Sequence, residues 1–206
     1  MIEDPSAHTI FVVDDDAAVL KSLARVLQAD CWRVRTFASA EAFLEDPNRH
    51  SGACLVLDVN LPGLDGLALQ RQLSDAQVHL PIVFLTGHGD IPMSVRAIKA
   101  GAADFLTKPV QRTALNAAIT EAIERDARER ERHNKVEALQ QRLASLSARE
   151  REVLALVAEG RLNKQIAAQL GIVEQTVKFH RTRIMERMNA KTVAELMKIL
   201  AIAESD

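Results

Sequence analysis

Two short apolar runs in this chain stop on aspartate. Thr9–Val13 runs into Asp14, Asp15 and Asp16, and the run at 53–57 runs into Asp58. A stretch of about five residues that is apolar at nearly every position has no wet face. It suits a strand buried on both sides, as in a parallel sheet covered by helices. Three further runs fit the same frame: Arg33–Phe37, which alternates, then 81–85 and 103–106. Between the runs the apolar spacing becomes helical. Val19, Leu20, Leu23, Val26 and Leu27 mark a helix over 17–28, and shorter ones are predicted over Ala40–Leu44, 67–73 and 93–100. Asp90 suits the cap of the last of these, with Pro92 in its first turn. Strands alternating with helices predict an α/β domain on a parallel sheet. Right-handed crossovers then bring the carboxy ends of the strands to one edge, where ligands bind.

That edge collects reactive groups. Asp14, Asp15 and Asp16 follow the first strand, Asp58 follows the third, Thr86 the fourth and Lys108 the fifth. Grouped carboxylates repel one another unless a hard cation joins them, and Mg2+ takes such oxygen ligands. A carboxylate, a metal, a hydroxyl and an ammonium around one point suit phosphoryl transfer, with the carboxylate as nucleophile and the cations on the equatorial oxygens. Asp16 reads instead as a helix N-cap. Asp65 reads as a turn residue between Gly63 and Gly66, and His88 and Asp90 as loop residues near Thr86. Cys54 reads as core. A phosphatase built on Asp58 would need a general acid and a substrate pocket, and no further motif suggests them.

From Thr113 the pattern is wholly helical. Residues 114–123 are amphipathic and 124–135 are almost all charged. Val136, Leu139, Leu143 and Leu146 then form a narrow seam, read as a solvated linker helix or a short dimerising coiled coil. Four short helices follow: Ala148–Ala158, 164–170, Glu174–Met188 and Val193–Ala203. Gly160 and Gly171 stand where carboxy-terminal caps belong, and Asn163 can cap the second helix. Plotted at 100° per residue, the third helix turns Val173, Val177, Ile184 and Met188 to the core. Gln175, Phe179, Thr182 and Glu186 point the other way, flanked by Lys178 and Arg183. There Phe179 could meet a thymine methyl, and His180, Arg181, Arg183 and Arg187 suit phosphates.

Charge supports this division. Residues 1–112 carry 10 Lys/Arg against 14 Asp/Glu, whereas 147–206 carry 10 against 8. A mildly basic end fits a nucleic-acid contact. No apolar stretch is long enough to span a membrane, and no signal peptide is evident, so a cytoplasmic location with two reduced thiols is expected.

FVVDDD, LDVNLPGLDG, LTGHGD and FLTKP, in that order, resemble the receiver domains of two-component response regulators over residues 8–112. The resemblance implies a flavodoxin-like, doubly wound domain whose Asp58 accepts a phosphoryl group from a sensor histidine kinase. It implies Mg2+ held by Asp15, Asp58 and the backbone carbonyl of Asn60, with Asp14 acting through water. Thr86 and Lys108 would hold phosphoryl oxygens, Phe105 would swing inward with Thr86, and Lys108–Pro109 is a candidate cis peptide. All the positions that matter are filled, which argues against a degenerate receiver.

SAREREVLALVAEGRLNKQIAAQLGIVEQTVKFHRTRIMERM resembles the LuxR-type DNA-binding domain, from about Leu146 to Leu200. Together the two halves are similar to the FixJ/NarL-like response regulators, nearest the FixJ branch. Three parts are expected: a receiver over 1–112, a helical linker over 113–146 and an all-α, four-helix helix-turn-helix domain over 147–206. The resemblance implies double-stranded DNA and RNA polymerase as partners, base contacts at Lys178, Phe179 and Thr182, and a homodimer on phosphorylation. In that family the last helix often forms the DNA-bound dimer contact. It implies no enzyme beyond phosphoryl transfer to Asp58 and its autodephosphorylation. One departure is Val173, where the family usually has a capping Ser or Thr. The alternative is a receiver that works by protein contact only, with a vestigial output domain. Strong salt dependence of DNA binding separates the two.

Overall fold

The computed structural model describes residues 4–87 and 91–203. The expectations for His88 and Asp90 lie outside the described residues. The chain forms two compact units, Met1–Glu129 and Arg130–Asp206.

The first unit is an α/β domain. Its strands are β1 (Thr9–Val13), β2 (Arg33–Phe37), β3 (Cys54–Asp58), β4 (Ile82–Thr86) and β5 (Asp104–Thr107). They form one parallel sheet in the order β2-β1-β3-β4-β5. The helices are α1 (Ala17–Ala29), α2 (Ala40–Leu44), α3 (Gly66–Asp75), α4 (Ile91–Lys99) and the start of α5 (Arg112–Ala144). Strands β3, β4 and β5 each begin and end one residue later than the apolar runs predict. The ladder carries on past the apolar stretch, as where the Val59 N–H donates to the Leu85 carbonyl at 3.0 Å.

Alternate strand residues face opposite layers. Phe11, Val13, Leu55, Leu57, Ile82 and Phe84 pack with Phe43 of α2, Leu69 and Leu73 of α3 and Ala97 of α4. Ile10, Val12, Cys54, Val56, Val83 and Leu85 pack with Leu23 and Leu27 of α1 and with Leu115, Ala118 and Ile119 of α5. Both faces of β1, β3 and β4 are therefore dry, as a continuous apolar strand requires. Asp16 caps α1, accepting from the Ala18 and Val19 N–H groups at 2.7 and 3.4 Å. Asp65, read from sequence as a turn residue, caps α3 by accepting from the Ala68 N–H at 2.6 Å. Gly66 opens α3 so close to β3 that a Cβ there would stand 2.3 Å from the Asp58 carbonyl oxygen.

The second unit holds the rest of α5 with α6 (Ala148–Ala158), α7 (Asn163–Leu170), α8 (Glu174–Met188) and α9 (Val193–Ala203). Its core joins Val153, Leu156, Ile166, Val177, Ile184, Met188 and Leu196. Leu139 and Leu146 of the predicted seam are buried in that core, and Leu143 packs against it. Three of the four seam residues thus pack inside this unit. Asn163 lies inside α7 rather than capping it. The N-cap is Leu162, whose N–H donates to Gln165 Oε1 at 2.9 Å. Gly171 ends α7 in the left-handed region at φ 65°, which makes the turn into α8.

Val173 departs from the helical plot: it is 67% exposed, not core. As the N-cap of α8 it has an extended backbone, φ −80° and ψ 151°, so a 100° step does not apply to it. Val177, Ile184 and Met188 are buried as expected, and Gln175, Phe179, Thr182 and Glu186 are exposed. Among the described residues, no helix is long and apolar enough to cross a membrane.

Candidate functional site

The sheet order decides which residues meet. Strands β1 and β3 are neighbours, so Asp14 and Asp58 stand side by side at their carboxy ends, with Thr86 next along on β4. Lys108 follows β5 and reaches back across the edge. Its Nζ lies 2.5 Å from Asp14 Oδ2 and 2.6 Å from Asp58 Oδ2. The Lys108 N–H donates to the Thr86 carbonyl at 2.7 Å, which fixes the root of that side chain. The Lys108–Pro109 peptide is cis.

The carboxylates are also tied locally. Asp14 Oδ1 accepts from the Asp16 N–H at 3.0 Å, and Asp58 Oδ1 from the Asn60 N–H at 3.1 Å. Asp14, Asp58 and Thr86 are buried, whereas Asp15 is exposed at the rim. Burial pushes the Asp14 carboxyl above its ordinary value, against the pull of Lys108 and the Asp16 N–H. Burial alone would lower Lys108, but its bonds to Asp14 and Asp58 hold the ammonium above its usual range.

One ligand oxygen from each of Asp14, Asp15 and Asp58 can be chosen so that all lie within 4.8 Å of one another. Three hard oxygens around one point fit Mg2+ in donor type and spacing. Phe105 is partly buried, tilted against Phe84 with ring centroids 6.3 Å apart. Sequence reasoning missed Glu41 of α2. Its Oε1 accepts from the Leu64 N–H at 3.1 Å and braces the loop that follows Asn60. No motif marks it, because the contact bridges 23 residues.

The second candidate site is the outer face of α8. The Phe179 ring carries the Arg183 guanidinium 4.6 Å from its centroid. Lys178 Nζ lies 3.7 Å from Glu174, and Thr182 Oγ1 donates to the Lys178 carbonyl at 3.2 Å. Arg181 and His180 are half-buried, and His180 Nδ1 has no hydrogen-bond partner among the described residues. Arg187 donates to the Ser145 carbonyl and lies 3.5 Å from the buried Glu150 carboxylate.

Comparison with known proteins matches both sites to families. Residues 10–120 match the response regulator receiver domain, and 144–200 match the luxR family of bacterial regulatory proteins. Nodulation protein W of Bradyrhizobium diazoefficiens is 45% identical over 190 residues, 92% of this chain and 84% of that protein. Response regulator protein TodT of Pseudomonas putida is 44% identical, covering 94% and 85%. Transcriptional regulatory protein FixJ of Rhizobium meliloti is 39% identical, covering 93% and 94%. Among solved structures, response regulator StyR superposes with a TM-score of 0.83 at 45% identity, covering 95% of this chain and 98% of that one. Full-length FixJ from B. japonicum gives 0.60 at 38%, covering 96% and 97%.

Proposed function

The chain belongs to the two-component response regulators that join a receiver domain to a luxR-type DNA-binding domain, and from that premise we propose that phosphorylation of Asp58 switches its binding to DNA. It is a regulator of transcription, with a receiver domain and a helix-turn-helix output domain. We assign the receiver to 1–112, the linker to 113–146 and the output domain to 147–206.

The observation that carries the reading is the Lys108 ammonium, held at 2.5 and 2.6 Å between Asp14 and Asp58. A buried acid beside a fixed cation at a strand edge can accept a phosphoryl group whose charge that cation then shares. The Asp58 carboxylate oxygen attacks phosphorus, the P–N bond to the histidine of a sensor kinase breaks, and a P–O bond to Asp58 forms. Lys108 turns from the free carboxylate to a phosphoryl oxygen, and the Thr86 hydroxyl takes a second. Asp15, Asp58 and the Asn60 carbonyl would hold Mg2+, with Asp14 through water. Bound there, Mg2+ offsets the charge that gathers on the phosphoryl oxygens. The same residues serve autodephosphorylation by water.

Thr86 and Phe105 then move together and reshape the face made by 93–101 and 103–108. That favours a homodimer or frees the output domain. Lys178, Phe179 and Thr182 of α8 read bases, and His180, Arg181 and Arg183 meet phosphates. Arg187 was assigned to phosphate from sequence, but its bonds to Ser145 and Glu150 support an anchoring role instead. Two linked DNA modules bind a two-fold site far better than one, through effective concentration. RNA polymerase is the onward partner, and the protein works in the cytoplasm, where the DNA is.

Light scattering of the full chain in Mg2+, with and without acetyl phosphate or beryllofluoride, tests the scheme. A monomer-to-dimer shift that Asp58→Asn abolishes is the expected result. Phosphorylation confirmed by intact mass without such a shift leaves release of the output domain as the switch. No phosphorylation at all overturns the assignment of Asp58.

A further inference from the structure

The outward side chains of α8 are held in pairs. Phe179 is 53% exposed, yet its ring is fixed on two sides. Arg183, one turn on, stacks 4.6 Å from the ring centroid, and the His180 ring meets it at 5.9 Å and 64°. The hydroxyl donor of Thr182 is spent on the Lys178 carbonyl, so what Thr182 offers outward is an acceptor and a methyl. The centre of the face is therefore an apolar ring beside a methyl, with charged groups around it. Among the base edges of a major groove, the apolar counterpart of such a ring is the C5 methyl of thymine. The other edges present hydrogen-bond donors and acceptors.

We propose that Arg183 is a positioning residue for this recognition face: stacking on Phe179, it holds the ring aimed at the base edge that the ring reads, a thymine methyl. This rests on α8 being the recognition helix. A ring placed before binding loses little rotamer freedom on binding. The stacked guanidinium keeps its N–H groups in its own plane, where phosphate oxygens can accept from them. One pair thus divides the work: the ring carries sequence information and the arginine carries a salt-dependent backbone contact.

The test uses the full chain with Mg2+ and acetyl phosphate. Duplexes enriched from a random library are remade with deoxyuridine at each thymine in turn, which removes only the methyl. Binding is read by fluorescence anisotropy across a salt series. The wild type should show one thymine per half-site whose replacement weakens binding about fourfold, the effect of one buried methyl-sized group. In F179A that weakening should vanish while the salt slope stays unchanged. R183A should lower both the thymine-to-uracil ratio and the salt slope, by about one phosphate. R183K keeps a cation over the ring and should retain most of the ratio. The ring is exposed, so F179A should melt like the wild type; F179L, which keeps apolar volume, should give a reduced ratio and serves if it does not. Undiminished uracil sensitivity in F179A and F179L overturns the role of Phe179. An R183A that weakens thymine and uracil duplexes by the same factor overturns the positioning role. Failure to enrich any sequence sinks the recognition-helix reading itself, and this inference with it.

Discussion

Glu150 is buried and closes the capping box of α6. It accepts from the Ser147 N–H at 2.8 Å, and Ser147 Oγ accepts from the Glu150 N–H at 3.2 Å. The Ser147 N–H, above all other groups, holds this carboxyl below its usual value, with Arg187 and Arg183 adding their charge. An acid depressed in the folded state contributes stability that is fully present above its unfolded value, about 4.3, and is lost as pH falls through the folded value. Glu150→Gln keeps the shape and one acceptor but removes the charge. The full chain should lose about 1 kcal/mol at pH 7. That gap should close as pH falls through the lowered folded value, where the wild-type carboxyl itself becomes neutral. Urea unfolding followed by far-UV circular dichroism measures it. A gap that stays constant to the acid limit would mean that the shape of Glu150, and not its charge, matters. These contacts of Arg187 were not legible in the sequence. Its partners, Ser145 and Glu150, lie 42 and 37 positions away, and no local pattern links them.

The start of α8 lacks something that most helices have. Its N-cap is Val173, which offers no side-chain acceptor to the first-turn N–H groups. Because Val173 is so exposed, replacing it loses little apolar burial. Val173→Ser should therefore stabilise the chain by about 0.5–1 kcal/mol and raise its Tm by roughly 1–4 °C in thermal melts. An unchanged or lower Tm would mean that the first turn is already satisfied by other means. Elements were legible where the pattern was local. Four apolar runs and one alternating stretch marked all five strands, but their ends depend on ladder bonds from neighbouring strands, and each of the last three is displaced by a residue. Helix α5 was read in pieces because 124–135 has no apolar stripe. It runs through as one helix with charge pairs four apart along this stretch: Arg125–Glu129 at 3.0 Å, Arg128–Glu124 at 3.8 Å and Lys135–Glu131 at 2.6 Å. Gln70 left no trace in the sequence. It is a buried polar residue on α3 whose Nε2 donates to the Ala97 and Ala100 carbonyls at 3.3 and 3.1 Å, which ties α3 to the end of α4.

Across the whole molecule, the carboxylate pocket at the sheet edge gathers residues from positions as far apart as Asp14 and Lys108. It was legible because parallel topology sends every strand end to one edge, so the residues just past each apolar run are candidates. The pairing of charge there was not legible, since it depends on which carboxylates Lys108 reaches. Among the described residues, the acids Asp14, Asp15 and Asp58 gather around the Lys108 ammonium, an excess of acidic over basic side chains that suits a cation. A cation that binds only the folded state adds stability by mass action, about 2.7 kcal/mol at one hundred times its Kd. Millimolar Mg2+ should thus raise the Tm of the full chain by several degrees over EDTA, and Asp15→Asn should remove most of that rise. Lys108→Ala gives the sharper test. Without the ammonium, Asp14 and Asp58 lose their partner and the melt in EDTA falls. Mg2+ then no longer competes with Nζ for the Asp58 oxygens, so its increment should exceed that of the wild type. If the increment in Lys108→Ala is instead the smaller one, the lysine helps to build the metal site rather than occupying it.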